Sequence, residues 1–144
     1  MVYLDDTEVD AVLAAPDRRT WSGQRDHAWL LLMITTGIRV GELVNLSRLD
    51  LSTGRPAHIV VTGKERKQRI IPLDRTTAAT LAAWTRANSA PPEAPVFTAR
   101  GRSGPMSSDA VAQRVALHAR SAAGQAPSLK AKTVTPHAFR HTAR

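Results

Sequence analysis

The segment AWLLLMI, residues 28–34, constrains the fold of this 144-residue chain more than any other part of the sequence. It lies within a helical pattern that covers residues 24–36, and it is apolar on nearly every side of the predicted helix. Such a helix must be covered by other elements on most of its surface. We therefore predict a central buried helix that ends at Gly37, where a glycine can take the left-handed conformation of a C-cap.

Shorter helical patterns lie on both sides of this segment. Thr7 and Asp10 have the spacing of a capping box, and apolar residues follow at helical spacing. Thr135 and Pro136 have the pattern of an N-cap and a first helical residue, which opens a last helix at His137. Besides the central helix, we predict helices at residues 8–15, from about 39, at 76–87, at 107–123 and from 137.

The spacing of apolar residues changes between residues 58 and 73. β-branched residues make up most of residues 58–62 and recur at Ile70 and Ile71 within residues 69–73, and Gly63 with a run of charged residues separates the two segments. This pattern is typical of two antiparallel strands joined in a hairpin. Together the elements predict an α+β fold, mostly α-helical with a small antiparallel β-sheet, in a single domain of residues 1–144.

Composition and charge bear on the partner. The chain has no cysteine, which excludes a disulfide framework and a thiolate metal site. Its net charge of +8 is uneven: residues 1–50 carry 5 Lys/Arg and 8 Asp/Glu, whereas residues 51–144 carry 15 and 4. Basic side chains concentrated in one part of a fold attract polyanions, so the charge favours nucleic acid. No apolar run reaches the roughly 18 residues of a membrane span.

Arg39 follows the helix-ending glycine in a strongly apolar neighbourhood. A guanidinium buried there requires a counter-charge, and Glu42, three residues later, can supply it. This pairing is the purely structural interpretation. The functional interpretation is an anion site, because an arginine held by a core helix suits bidentate recognition of phosphate. From this motif alone the two interpretations are equally open.

Lys64 lies at the tip of the predicted hairpin, and Arg66, Lys67 and Arg69 follow it closely. A solvated turn explains such a run. A cationic finger on a DNA backbone, with one lysine able to donate a proton, explains it as well. The segment TGKE does not form a P-loop, because Glu65 stands where Ser or Thr is required. We therefore expect no nucleotide cofactor.

His137 and Arg140 lie three residues apart at the start of the last predicted helix, so their side chains share a face. Histidine transfers protons near neutral pH, whereas arginine stays charged. Alternatively, His137 is a capped histidine of the core. His141 adds an imidazole at i+4, but Ala138 stands where a zinc protease has Glu, so we expect no metal.

Two arginines, one lysine and one histidine together meet a specific chemical demand. Breaking a phosphodiester without a metal ion requires cations around the pentavalent phosphate and an acid for the leaving oxygen. These residue types supply both, and a nucleophile is the missing component.

The three motifs, in this order, closely resemble the catalytic domain of tyrosine recombinases, the phage integrase family. The family pattern is T-G-x-R-x-x-E-L, then G-K in a hairpin ending in P-L, then H-x-x-R-H-T. The corresponding segments here are TTGIRVGEL, VTGKERKQRIIPL and TPHAFRHT. The segments LDDTEVDAVLAAPD and PVFTARGRSGPMSSDAVAQRV extend the resemblance over nearly the whole chain.

The resemblance implies site-specific DNA cleavage and rejoining through a phosphotyrosyl intermediate, without ATP or metal. It also implies roles for individual residues. Arg39 and Arg140 stabilise the phosphate, Glu42 supports Arg39, Lys64 is the acid for the departing 5′ hydroxyl, His137 transfers a proton, and Arg66, Lys67 and Arg69 bind the DNA backbone. Phe139 stands where Leu is more usual in the family.

The resemblance stops before the family's second His or Trp and its nucleophilic tyrosine. The single tyrosine here, Tyr3, has a non-matching context, so the chain is expected to carry no nucleophile. We therefore expect a C-terminally truncated catalytic domain without the N-terminal core-binding domain, inactive alone yet able to bind DNA. The alternative is a non-catalytic DNA-binding or interfering remnant.

The expected partners are double-stranded DNA and other recombinase protomers, with no membrane. The expected location is the cytoplasm, at the nucleoid when the protein is bound to DNA. Truncation also predicts that apolar surface near Val134 and Phe139 is exposed.

Overall fold

The computed structural model describes residues 2–101 and 103–141, with the backbone alone for His141. The α-helices are α1 (Asp6–Ala14), α2 (Trp21–Thr36), α3 (Val40–Val44), α4 (Arg75–Ala87) and α5 (Ser108–Ala122). The strands are β1 (Leu51–Ser52), β2 (His58–Thr62) and β3 (Gln68–Pro72). Short 3₁₀ helices cover Arg48–Asp50, Lys64–Arg66, Pro127–Ala131 and Pro136–His141. The predicted fold class, mostly helical with a small antiparallel sheet, is confirmed.

Helix α2 is the centre of the core. Every residue from 28 to 34 is buried, and Trp29 is fully so. The helix begins at Trp21, earlier than predicted, because the hydroxyl of Thr20 accepts a hydrogen bond from the Gly23 N–H at 2.9 Å. The predicted C-cap is confirmed: Gly37 has φ 70° and donates its N–H to the carbonyl of Met33 at 2.8 Å.

Helix α1 is capped by a different pair from the one predicted. Asp5 Oδ1 accepts from the Glu8 N–H at 2.8 Å, and Glu8 Oε1 accepts from the Asp5 N–H at 2.8 Å. The predicted pair, Thr7 and Asp10, is therefore wrong. Glu8 is fully buried and its carboxylate also binds Lys132 Nζ at 2.7 Å. This long-range ion pair adds to the local cap. The residues around Glu8 in the sequence give no indication of it, because Lys132 lies 124 positions away.

The sheet has the order β1-β2-β3 and is antiparallel throughout. The predicted hairpin is confirmed, with Val61 opposite Arg69 in the β2–β3 register. Strand β1 was not predicted, because two residues carry no recognisable periodicity. Buried Ile59 and Val61 fix the inner face of the sheet against the core, so the hairpin tip projects from a firmly packed base.

The last described element begins at Pro136, as expected, but it is a 3₁₀ helix. It packs against α2 and α5. Phe139 is 0% exposed and Val134 5%, so the expectation of exposed apolar surface at these two residues is wrong. The reason is that α2 and α5 already provide an apolar groove for them. No helix among the described residues is long and apolar enough to cross a membrane.

A cationic cavity as the candidate functional site

Four residues singled out from the sequence line one surface cavity of about 420 Å³. They come from three separate parts of the fold: the turn between α2 and α3, the hairpin tip, and the last 3₁₀ helix. The lining residues are Arg39, Val40, Lys64, Pro136, His137 and Arg140. Three cationic side chains and one imidazole therefore face a common space.

Arg39 is presented by a tight turn. Helix α2 ends at Gly37, and Arg39 is the N-cap of α3. Contrary to the expectation of a buried guanidinium, Arg39 is exposed. Within residues 2–101 and 103–141 its guanidinium forms no hydrogen bond and no ion pair within 4 Å, although its charge helps to lower the pKa of Glu42. It is therefore available to an anion from solvent.

Arg140 is anchored to the same turn. Its Nε donates to the carbonyl of Gly37 at 3.1 Å, which fixes the direction of the guanidinium. The two terminal nitrogens of Arg140 have no hydrogen-bond partner in the described part of the chain. Gly37 thus helps to position both arginines. It ends α2 two residues before Arg39, and its carbonyl oxygen accepts the hydrogen bond from Arg140.

Replacing Gly37 by Ala is expected to lower the free energy of unfolding by about 1–2 kcal/mol, because a Cβ is disfavoured at φ 70°. Urea denaturation followed by circular dichroism measures the change. Gly41→Ala is the control, since Gly41 lies in α3 and a Cβ there meets nothing within 4 Å. That variant should be unchanged or slightly more stable. Equal stability of Gly37→Ala and wild type would contradict the assigned strain.

Lys64 lies in a tightly closed hairpin tip. The Gly63 N–H donates to the Lys67 carbonyl at 2.8 Å, and the Lys67 N–H donates to the Lys64 carbonyl at 3.2 Å. Glu65 and Arg66 have φ of 61° and 58°, the left-handed region that non-glycine residues enter at a cost of about 1–2 kcal/mol each. Such outliers cluster at ligand-binding sites, where the surrounding structure maintains them.

His137 and Arg140 lie three residues apart on a 3₁₀ helix, in which side chains at i and i+3 are aligned. His137 is exposed, so the alternative of a capped core histidine is wrong. The side chain of His141 lies outside the described residues. Among the residues that the structure describes, no group of three or more His, Cys, Asp or Glu is arranged to hold a metal ion.

Glu42 was expected to pair with the Arg39 guanidinium or to support it. In the structure it bonds to the Arg39 backbone and to a different arginine. Its Oε1 accepts the backbone N–H of Arg39 at 2.9 Å, rather than pairing with the Arg39 guanidinium. Its side-chain partner is Arg69, whose Nη1 lies 2.6 Å from Oε2 and whose Nη2 lies 3.1 Å from Oε1. The hydrogen bonds from Arg69 lower the pKa of Glu42 in spite of its burial, so the carboxylate stays charged.

The basic residues expected to bind DNA divide into two groups. Arg66 and Lys67 are exposed at the hairpin tip, beside the cavity-lining Lys64. Arg69 differs, because both of its terminal nitrogens are bonded to Glu42. Arg66 and Lys67 therefore have free charge to offer a polyanion, whereas the charge of Arg69 is already paired.

A buried polar cluster centred on Asp26 of α2 was not predicted from the sequence. Asp26 is fully buried and accepts four hydrogen bonds, two from its own helix and two from α5. The donors are Arg25 and Trp29 to Oδ1, at 3.0 Å each, and Arg114 and His118 to Oδ2, at 2.7 Å each. Burial alone would raise the pKa of Asp26, but the hydrogen bonds from His118 and Arg114 lower it below its ordinary value. One available signal was an ionisable pair, Arg25 and Asp26, separated from the apolar segment by His27 alone.

Comparison with known proteins adds a family match over the whole described chain. The sequence profile described as the Phage integrase family matches residues 2–144. A Sinorhizobium fredii protein named integrase/recombinase y4rC is 43% identical over 141 residues, which are 97% of this chain and 42% of that protein. Tyrosine recombinase XerC of Nitrobacter winogradskyi is 34% identical over 132 residues, 90% of this chain and 39% of that protein.

Solved structures match the fold. The crystal structure of XerA recombinase gives a TM-score of 0.79 at 26% identity and covers 99% of this chain and 48% of that chain. XerH site-specific recombinase, solved bound to its difH substrate, gives a TM-score of 0.77 at 17% identity. The match covers 99% of this chain and 41% of that chain. The chain therefore spans about half, or less, of the length of these relatives.

Proposed function

Because this chain belongs to the phage integrase family of tyrosine recombinases, we propose that its cationic cavity binds a backbone phosphate of double-stranded DNA. In this proposal Arg39, Arg140, Lys64 and His137 are the phosphate-stabilising and proton-transferring groups of site-specific recombination. The observation that carries the proposal is that these four residues, from three separate elements, line a single cavity. The solved complex of XerH with its difH substrate supports DNA as the partner.

The guanidinium groups suit the charge of the transition state. A pentavalent phosphate concentrates negative charge on its equatorial oxygens, and fixed N–H donors aimed there stabilise it. The terminal nitrogens of Arg140 and the guanidinium of Arg39 have no other hydrogen-bond partner in residues 2–101 and 103–141. The anchoring of Arg140 to the Gly37 carbonyl means that little reorganisation is needed when the phosphate arrives.

Lys64 and His137 are the groups proposed to transfer protons during strand cleavage. A tyrosine oxygen forms a bond to phosphorus, and the bond between phosphorus and the 5′ oxygen breaks. His137 accepts the proton of the attacking hydroxyl, and Lys64 donates a proton to the departing 5′ oxygen. The energy of the broken phosphodiester is kept in the phosphotyrosyl bond, so that rejoining needs no ATP.

Tyr3 is not proposed as the nucleophile. It is the single tyrosine of the sequence, it is 58% exposed, and it is not among the residues that line the cavity. The 144 residues therefore supply DNA binding and the charged part of the active site. We expect them, on their own, to bind a duplex without becoming covalently attached to it.

Affinity for duplex DNA is expected to fall steeply with salt. If the cavity neutralises one phosphate and Arg66 and Lys67 neutralise one each, log K falls with log salt with a slope of about −2.7, or about 40-fold between 50 and 200 mM. Fluorescence anisotropy of a labelled duplex measures the slope. Denaturing gels with a nicked duplex test for a covalent adduct, and none is expected.

Two outcomes would contradict the proposal. Binding that is absent at low salt, or independent of salt, would remove the phosphate-binding function. A covalent adduct would show that these residues contain a competent nucleophile, and the chain would then be a complete cleaving enzyme.

A further inference from the structure

The ion pair between Arg69 and Glu42 lies between the two elements that carry the cationic residues of the cavity. Arg69 belongs to β3 of the hairpin, and Glu42 belongs to α3, which Arg39 caps. The guanidinium binds the carboxylate in a bidentate arrangement, at 2.6 and 3.1 Å. The side chain of Glu42 is 7% exposed, so the pair is shielded from solvent on the carboxylate side. A bidentate pair of this kind fixes direction as well as distance.

The backbone next to Lys64 lies close to this pair. A Cβ built on Gly63 would lie 3.5 Å from Glu42 Oε2 and 3.6 Å from Arg69 Nη1. The other oxygen of the same carboxylate accepts the backbone N–H of Arg39 at 2.9 Å. A single carboxylate therefore contacts Arg39 on one side and borders the residue before Lys64 on the other.

We propose that Arg69 is a positioning residue, whose ion pair with Glu42 fixes the Lys64 tip relative to Arg39 so that both side chains reach the same phosphate. This inference rests on the proposed function, since it assumes a phosphate in the cavity. Direct contact between Arg69 and DNA is the competing explanation. It requires the guanidinium to leave a buried, charged carboxylate, which is costly because Glu42 would be left unpaired.

The proposal predicts that the effect of Lys64 on DNA binding depends on Arg69. Lys64→Ala should weaken duplex affinity about fivefold in the wild-type background and less than about twofold in an Arg69→Gln background, because residues in one network are not additive. Lys67→Gln is the matched control, since it removes one exposed charge from the same hairpin. Its effect should simply add to that of Lys64→Ala.

Glu42→Gln distinguishes positioning by Arg69 from direct contact between Arg69 and DNA, because the two explanations predict opposite changes in DNA affinity. Removing a negative charge beside the cavity should strengthen DNA binding if Arg69 contacts DNA, because Arg69 is then released. It should weaken binding if the pair positions Lys64, because the hairpin tip loses its anchor. Arg69→Lys keeps one charged hydrogen bond to Glu42 and should restore part of the affinity lost in Arg69→Gln.

The folded state is checked in parallel by circular dichroism and by amide exchange of Gly63, whose N–H closes the hairpin tip. Should Glu42→Gln fail to fold, the cycle between Lys64 and Arg69 decides the question, because the half-exposed Arg69 side chain is replaced there by Gln, whose amide can still donate a hydrogen bond to Glu42. The inference is overturned if Lys64→Ala and Arg69→Gln are additive, if Glu42→Gln tightens binding, or if Lys64→Ala leaves the wild-type affinity unchanged. If the wild-type protein shows no salt-dependent binding to duplex DNA, the proposed function is overturned instead.

Discussion

Asp26→Ala is expected to lower the free energy of unfolding by about 3–5 kcal/mol, because it removes one partner from a buried ion pair. Arg25 and His118 are each about 5% exposed, and both lose their shared acceptor. The Trp29 N–H loses its acceptor as well. Since a domain of this size is stabilised by about 5–15 kcal/mol in total, the variant should be close to unfolding. Urea denaturation followed by tryptophan fluorescence measures the loss.

Asp17→Ala is the matched control, because Asp17 forms an ion pair with Arg19 on the surface, with the arginine side chain 91% exposed. It should leave the unfolding midpoint unchanged. If Asp26→Ala were as stable as Asp17→Ala, the cluster would be an incidental feature of the core.

The same cluster contributes to the dependence of stability on pH. The pKa of Asp26 is lower in the folded state than in the unfolded state, so the unfolded chain binds more protons as the pH falls. The contribution of Asp26 is therefore fully present above about pH 4, the ordinary pKa of Asp, and is lost as the pH falls through the folded pKa. In this range wild-type stability should fall more steeply with decreasing pH than that of Asp26→Ala.

Arg39→Ala and Arg140→Ala are each expected to weaken duplex binding by about tenfold or more, the effect of losing a charge-assisted hydrogen bond to phosphate. The slope of log K against log salt should also become shallower for each variant, by at most about 0.9, because one of the cations that neutralise the cavity phosphate is lost. Fluorescence anisotropy over a series of salt concentrations gives both quantities. Arg→Lys at either position should be intermediate, since lysine keeps the charge but loses the planar fork.

Arg86→Ala is the control for these variants. Arg86 is an exposed arginine of α4 that does not line the cationic cavity, so its removal changes net charge without touching the site. Its effect on affinity and on the salt slope should be small. If Arg39→Ala behaved like Arg86→Ala, net charge rather than the cavity would be responsible for binding.

The features that the sequence predicted are those that local patterns encode. The central helix follows from its apolar segment, its end from Gly37, and the hairpin from two β-branched segments. The three motifs identified Arg39, Lys64, His137 and Arg140, which the fold brings into one cavity. Each of these predictions depends on residues within one element or on a motif with fixed spacing.

The features that the sequence did not predict depend on partners from distant elements. Arg69 binds Glu42 from 27 residues away, and His118 binds Asp26 from 92 residues away. The sequence does not say which distant residue each of these groups meets, so several pairings are equally compatible with it. The burial of Phe139 was missed for the same reason, since it depends on the groove that α2 and α5 form around it.

The hydrogen bond between Arg140 and Gly37 also has a consequence for the order of assembly. The two residues lie 103 positions apart, so the ribosome has made nearly the whole described chain before this contact can form. The turn that presents Arg39 is synthesised much earlier than Arg140, which lines the same cavity. If the cavity binds a backbone phosphate as proposed, that binding depends on a contact between two segments that are synthesised far apart in time. A nascent chain stalled before Arg140 should bind DNA less tightly than a chain that includes Arg140, and bound DNA should in turn favour molecules in which the two distant segments have docked.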